Sequence, residues 1–133
     1  MLSIPFQAYY SASKAALNSL VLATANEVRP YGVRVAAIMP GDIKTGFTAA
    51  RTKSSAGSSD YAALSKSVAT MERDEQNGMS PDVIARCMYS VSRKRSPKPL
   101  RSVGLQYKAC CLLGKFLPCR LSNWIVGKMY ASK

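Results

Sequence analysis

Histidine is absent from the 133 residues. That removes the commonest metal ligand, the usual activator of a serine or cysteine nucleophile, and the side chain that ordinarily titrates near neutral pH. Any proton transfer must then use Tyr, Lys, Asp, Glu or Cys. Cysteine is sparse as well: Cys87, Cys110, Cys111 and Cys119 form no C-x-x-C pair. With neither that spacing nor a histidine to complete a zinc set, no metal site is expected. Cys110 and Cys111 sit in an apolar run with Leu112 and Leu113, where thiols act as small hydrophobes. A reducing, intracellular compartment follows, cytoplasmic or membrane-associated. No secretory leader is visible, and no run approaches the roughly 18 apolar residues that a spanning helix needs.

Acidic residues are also missing from one part of the chain. Residues 1–82 carry eight Lys/Arg and seven Asp/Glu, whereas residues 83–133 carry eleven Lys/Arg and no acid, so nearly all of the net charge of +12 is C-terminal. Such a segment can face phosphates, anionic lipid heads, acidic ligands or water. Nucleic acid is not the expected partner. No RNA- or DNA-reading motif occurs, and only seven Tyr, three Phe and one Trp are available for stacking.

What is present points to a packed chain, with 47% hydrophobic and 20% charged residues. Tyr9 to Val28 contains no Gly or Pro, and Leu17, Leu20, Val21 and Val28 recur at helical spacings, which predicts a buried or half-buried helix. Pro30 and Gly32 close it. Val33 to Met39 then reads as a strand covered on both faces. Lys44 to Ser59 has the composition of a mobile loop. Helices are expected from Tyr61 to Gln76, ended by Asn77-Gly78, and from the Ser80-Pro81-Asp82 start signal to Ser92. Leu100 to Leu105 is long enough for a second strand. Gln106 to Ala131 reads as two amphipathic helices divided at Pro118.

Tyr10 and Lys14 are four residues apart at the start of the first helix, so they share a face. A neighbouring ammonium stabilises a phenolate and lowers the phenol's pKa, which lets a tyrosine move a proton near neutral pH. By spacing alone, such a pair is more often a solvated surface pair. Its surroundings carry more information. Tyr10-Ser-Ala-Ser-Lys14-Ala-Ala-Leu17, followed by Val33-Arg-Val-Ala-Ala-Ile-Met-Pro40-Gly41-Asp-Ile-Lys-Thr45, resembles the active-site region of the short-chain dehydrogenase/reductase family in content and order. Pro5 and the Arg29-Pro30-Tyr31-Gly32-Val33 turn also fit. The resemblance is strong to about residue 50, loose over 80–105 and general beyond.

The resemblance implies an α/β fold, the C-terminal part of a Rossmann-like doubly wound parallel sheet spanning residues 1–105, with a basic, amphipathic helical extension at 106–133. It further implies an oxidoreductase that uses NAD or NADP to interconvert a carbonyl and an alcohol. Tyr10 would be the general acid/base. Lys14 would lower its pKa and hydrogen-bond the nicotinamide ribose. Pro40, Gly41 and Ile43 would pass under the nicotinamide, and Thr45 would bond the cofactor near its amide or phosphates. Ligands in open α/β sheets bind at the C-terminal strand edge, where Pro-Gly lets a flat ring approach the backbone. The family's glycine-rich phosphate loop, its Asn-Ala-Gly strand end and its active-site serine have no counterpart here, and Ser3 is too close to Tyr10 to serve. The expected partners are a small, lipophilic substrate and a second copy of the enzyme.

The tail has two readings. Leu112, Leu113, Phe116, Leu117, Leu121, Trp124, Ile125 and Met129 recur at helical spacings among Lys108, Lys115, Arg120, Lys128 and Lys133. It could contact a membrane surface or cover a lipophilic substrate, but the break at Pro118 favours helices packed on the fold or on a partner subunit. The alternative for the whole chain is a truncated, non-catalytic piece that at most binds a partner or a membrane surface.

Overall fold

The Ala- and Leu-rich stretch forms helix α1, Ala8–Glu27, as its freedom from glycine and proline predicts. A single 3-10 turn, Arg29–Tyr31, follows, and Gly32 then adopts φ 77. This left-handed geometry, which glycine reaches without a Cβ penalty, reverses the chain. The computed structural model of the protein describes residues 3–50, 52 and 61–131. Its remaining elements are strand β1 (Ala37–Met39), a single helical turn α2 (Phe47–Ala50), helices α3 (Ala62–Gln76) and α4 (Pro81–Ser92), strand β2 (Leu100–Ser102), and helices α5 (Leu105–Phe116) and α6 (Cys119–Tyr130).

The two strands pair in parallel, Ala37 opposite Leu100, Ile38 opposite Arg101 and Met39 opposite Ser102. Parallel neighbours require a long crossover, which α2, α3 and α4 supply. This is the expected α/β class with a partial Rossmann-like sheet. Both strands are shorter than the sequence suggests. Residues 33–36 lie outside the ladder because β2 begins only at Leu100, behind Pro97 and Pro99, and proline cannot donate to a ladder. The second strand ends at Ser102, since Gly104 turns the chain at φ 90, ψ 137 and Leu105 already opens α5.

The helix boundaries follow local chemistry. Ser80 caps α4 by accepting from the Asp82 N–H at 3.3 Å, and Pro81 occupies its first turn. Asn77 closes α3, its side-chain amide donating to the Arg73 carbonyl. Pro118 separates α5 from α6, as its missing donor requires. The loop expected over Lys44–Ser59 contains α2, whose Phe47 N–H donates to the Thr45 hydroxyl; residues 51 and 53–59 lie outside the described residues.

Met71, Ile84, Val91, Val103 and Val126 are the buried apolar residues among those described. α6 packs on α3, and both α1 and α5 touch β2. The expected burial of α1 is met in part: Val21 and Val28 are half-buried, whereas Leu17 is 51% exposed and Leu20 63%. Leaving one such side chain in water forgoes about 1.5–3 kcal/mol. Two three-residue strands offer too little sheet face to cover a 20-residue helix.

Candidate functional site

Tyr10 and Lys14 meet as helical spacing dictates. The Lys14 ammonium lies over the Tyr10 ring, 5.3 Å from its centroid. This cation–π arrangement is worth about 0.5–1 kcal/mol at an exposed site. Both residues are exposed. The helix turn beneath them is reinforced by Ser13, whose hydroxyl donates to the Tyr10 carbonyl at 2.8 Å. Among the described residues, no hydrogen bond or ion pair ties Tyr10 or Lys14 to the Pro-Gly segment.

That segment, Pro40 to Thr45, leaves the C-terminal end of β1. On one side it is held by main chain. The Met79 N–H donates to the Asp42 carbonyl at 2.9 Å and the Lys44 N–H donates to the Met79 carbonyl at 3.0 Å, so Ile43 and Met79 form a parallel bridge. Gly78 lies so close to the Asp42 backbone that a Cβ there would collide with it. Thr45 accepts from the Phe47 N–H, which leaves its hydroxyl proton free to donate elsewhere. The structure therefore brings Pro40, Gly41, Ile43 and Thr45 together as one turn and keeps Tyr10 with Lys14 as a second group.

A residue the sequence did not single out completes the turn. Tyr107, in the first turn of α5, lays its ring against Gly41 so closely that a side chain at position 41 would overlap it. Its hydroxyl donates to the Asp42 carboxylate at 2.6 Å and accepts from the Asp42 N–H at 3.0 Å. Nothing local announces these contacts, which join residues 65 apart in sequence. Gly104, at φ 90, makes the tight corner that leads into α5.

Burial pushes the Tyr107 phenol above its ordinary value, and its bond to the Asp42 carboxylate pushes it further. Hydrogen bonds from the Asp42 N–H and from Gln106 pull weakly the other way. Tyr130, at the end of α6, is raised by burial and then by the carboxylates of Asp74 and Asp42. A folded-state pKa above the unfolded one means that the protonated phenol stabilises the fold. For Tyr107 this contribution is complete below about pH 10 and is lost as pH rises through the raised value. Melting temperatures of the protein should fall more steeply above about pH 10 than those of its Tyr107→Phe variant. Identical slopes would contradict the assignment.

Residues 1–56 match the family model described as short chain dehydrogenase. The chain is also similar to the 3-ketodihydrosphingosine reductase of Bacteroides thetaiotaomicron, 34% identical over 135 residues, which cover 98% of this chain and 50% of that protein. The chain thus spans about half the length of the curated relative it matches. No solved structure matches it.

Proposed function

Because this chain belongs to the short-chain dehydrogenase/reductase family, we propose that it supplies the Tyr/Lys half of an NAD(P)-dependent oxidoreductase acting on a lipophilic carbonyl or alcohol. The observation that carries this reading is the Lys14 ammonium stacked on the exposed Tyr10 ring, at the start of α1 and within the matched segment. Tyr10 protonates the nascent alkoxide during carbonyl reduction, or takes the hydroxyl proton in the reverse direction. Lys14 holds its ammonium over the Tyr10 ring, beside the group that transfers the proton.

The residues present fit the nicotinamide end of NAD or NADP. Pro40 is exposed, so a flat ring can lie along this end of the turn, while the space beside Gly41 is taken by the Tyr107 ring. Thr45 can donate its hydroxyl proton to the cofactor amide or a phosphate, and Lys14 can reach for ribose hydroxyls. When bound, the cofactor supplies or accepts the hydride. The fit does not extend to the pyrophosphate, because the sequence holds no glycine-rich turn opening a helix.

The relative's name supports a keto lipid as the substrate class. The tail supports delivery from a membrane surface. α5 turns Leu105, Leu112, Leu113 and Phe116 outward, the last 78% exposed, and α6 exposes Trp124 with the Lys128 ammonium 6.0 Å from its ring centroid. No helix among the described residues is long and apolar enough to cross a membrane, so contact would be peripheral.

One experiment tests both parts. The enzyme containing this chain is given 3-ketodihydrosphingosine in neutral or anionic vesicles with NADH or NADPH. Ketone-dependent oxidation of one cofactor is expected, together with salt-sensitive cosedimentation on the anionic vesicles alone. A cofactor signal indifferent to the ketone would overturn this substrate assignment, and equal binding to both vesicles would overturn the basic-tail contact.

A further inference from the structure

The Tyr107 side chain reaches from the α5 corner back to the turn after β1. Its ring stands between Gly41 and Gly104: a Cβ at Gly41 would overlap the ring, and one at Gly104 would lie 2.8 Å from its Cδ2. Both positions therefore need glycine for the ring to be there, and Gly104 needs it again for its φ of 90. Phenylalanine could fill the slot, but only tyrosine can make the two bonds observed, accepting from the Asp42 N–H and donating to the Asp42 carboxylate. On the other flank, the Asp42 carbonyl accepts from the Met79 N–H. Both peptide groups of Asp42 are thus fixed, one by a side chain of α5 and the other by the loop between α3 and α4. The ring also fills the side of Gly41 on which an L-residue's Cβ would stand, so a flat ligand must approach from the opposite face.

We propose that Tyr107 is a positioning residue that locks the Pro40-Gly41-Asp42 backbone in the orientation that receives the nicotinamide ring. This rests on the oxidoreductase reading. Tyr107 acts through Asp42 and touches no reacting atom, and its role couples the start of the C-terminal helices to the cofactor-facing end of β1. A purely structural role would show as lost stability. A positioning role moves cofactor binding at constant fold.

The test uses the enzyme containing this chain and two measurements, amide hydrogen exchange at Asp42 and affinity for NADH and NADPH by fluorescence titration. In Tyr107→Phe, with the slot still filled, the Asp42 amide is expected to exchange at least about 10-fold faster, and the cofactor Kd to rise about 10-fold, the size of one net hydrogen bond. The turnover number at saturating cofactor should change less than the cofactor KM. Asp42→Ala, which keeps the main-chain bond to Tyr107, should fall between the wild type and Tyr107→Phe in both measurements, and it carries the test should Tyr107→Phe misfold. Unchanged exchange in Tyr107→Phe would show that no clasp exists, and faster exchange with an unchanged Kd would show that the clasp positions nothing. A wild-type enzyme that binds neither cofactor overturns the oxidoreductase reading and the positioning role with it, while the exchange measurement still decides whether the clasp forms.

Discussion

Titrated with NADH or NADPH, the 133-residue chain by itself should show no saturable binding at micromolar concentrations, and on heating it should show helical signal without a cooperative transition. Two physical shortfalls lead to this expectation. Pyrophosphate binding in open α/β folds relies on a glycine-rich turn at a helix N-terminus, and the sequence offers none. A nicotinamide-facing turn alone leaves most of the ligand in water. The second shortfall is burial. The sheet has two strands of three residues each, and parallel sheets are normally covered on both faces and rarely persist as pairs. Leu17, Leu20 and Leu22 stand exposed along α1, so the helix that presents Tyr10 and Lys14 has little to hold it in place. Edge strands and exposed apolar faces of this kind favour self-association. Supplying an upstream half that carries the family's glycine-rich loop should restore both binding and a sharp melt. Calorimetry and fluorescence titration of the isolated chain check the two outcomes separately. A monomer that unfolds cooperatively would show that these residues are a self-sufficient domain.

Tyr10→Phe in the complete enzyme should lower turnover by about 100- to 10,000-fold, the usual contribution of a general acid, while leaving cofactor affinity nearly unchanged. The substitution keeps the ring under the Lys14 ammonium and deletes only the hydroxyl, so the effect belongs to the proton. Lys14→Ala should behave differently. It removes the ammonium over the Tyr10 ring and with it the group proposed to reach the ribose, and both turnover and cofactor affinity should suffer. Steady-state kinetics with a cofactor titration separate the two variants. If Lys14→Ala matched Tyr10→Phe by sparing cofactor affinity, its ribose contact would be refuted.

Features written in local chemistry were legible in the sequence. α1 and its Pro30-Gly32 ending, the Ser80-Pro81-Asp82 start of α4 and the break at Pro118 all appear where residue types require them. Tyr10 and Lys14 meet because four-residue spacing on a helix leaves little alternative. Strand length was not legible, since a ladder extends only as far as its partner does and Pro99 stops β2 where Val33 to Ala36 would have needed it. Leu17 and Leu20 stand exposed while Val21 and Val28 of the same helix are half-buried, because periodicity marks a face that wants cover and says nothing of whether the cover is at hand. Tyr107 went unnoticed because its partners, Gly41 and Asp42, are brought to it only by the crossover between β1 and β2. No pattern in the neighbourhood of Tyr107 encodes that meeting.

Tyr10, with Lys14 beside it, is proposed to handle the proton of a hydride-transfer reaction. Single-turnover mixing tests it most directly: enzyme already loaded with the reduced cofactor is mixed with ketone, and cofactor oxidation is followed for the wild type and for Tyr10→Phe. Equal loading is expected in both, with oxidation at least about 100-fold slower in the variant. Equal oxidation rates would contradict it.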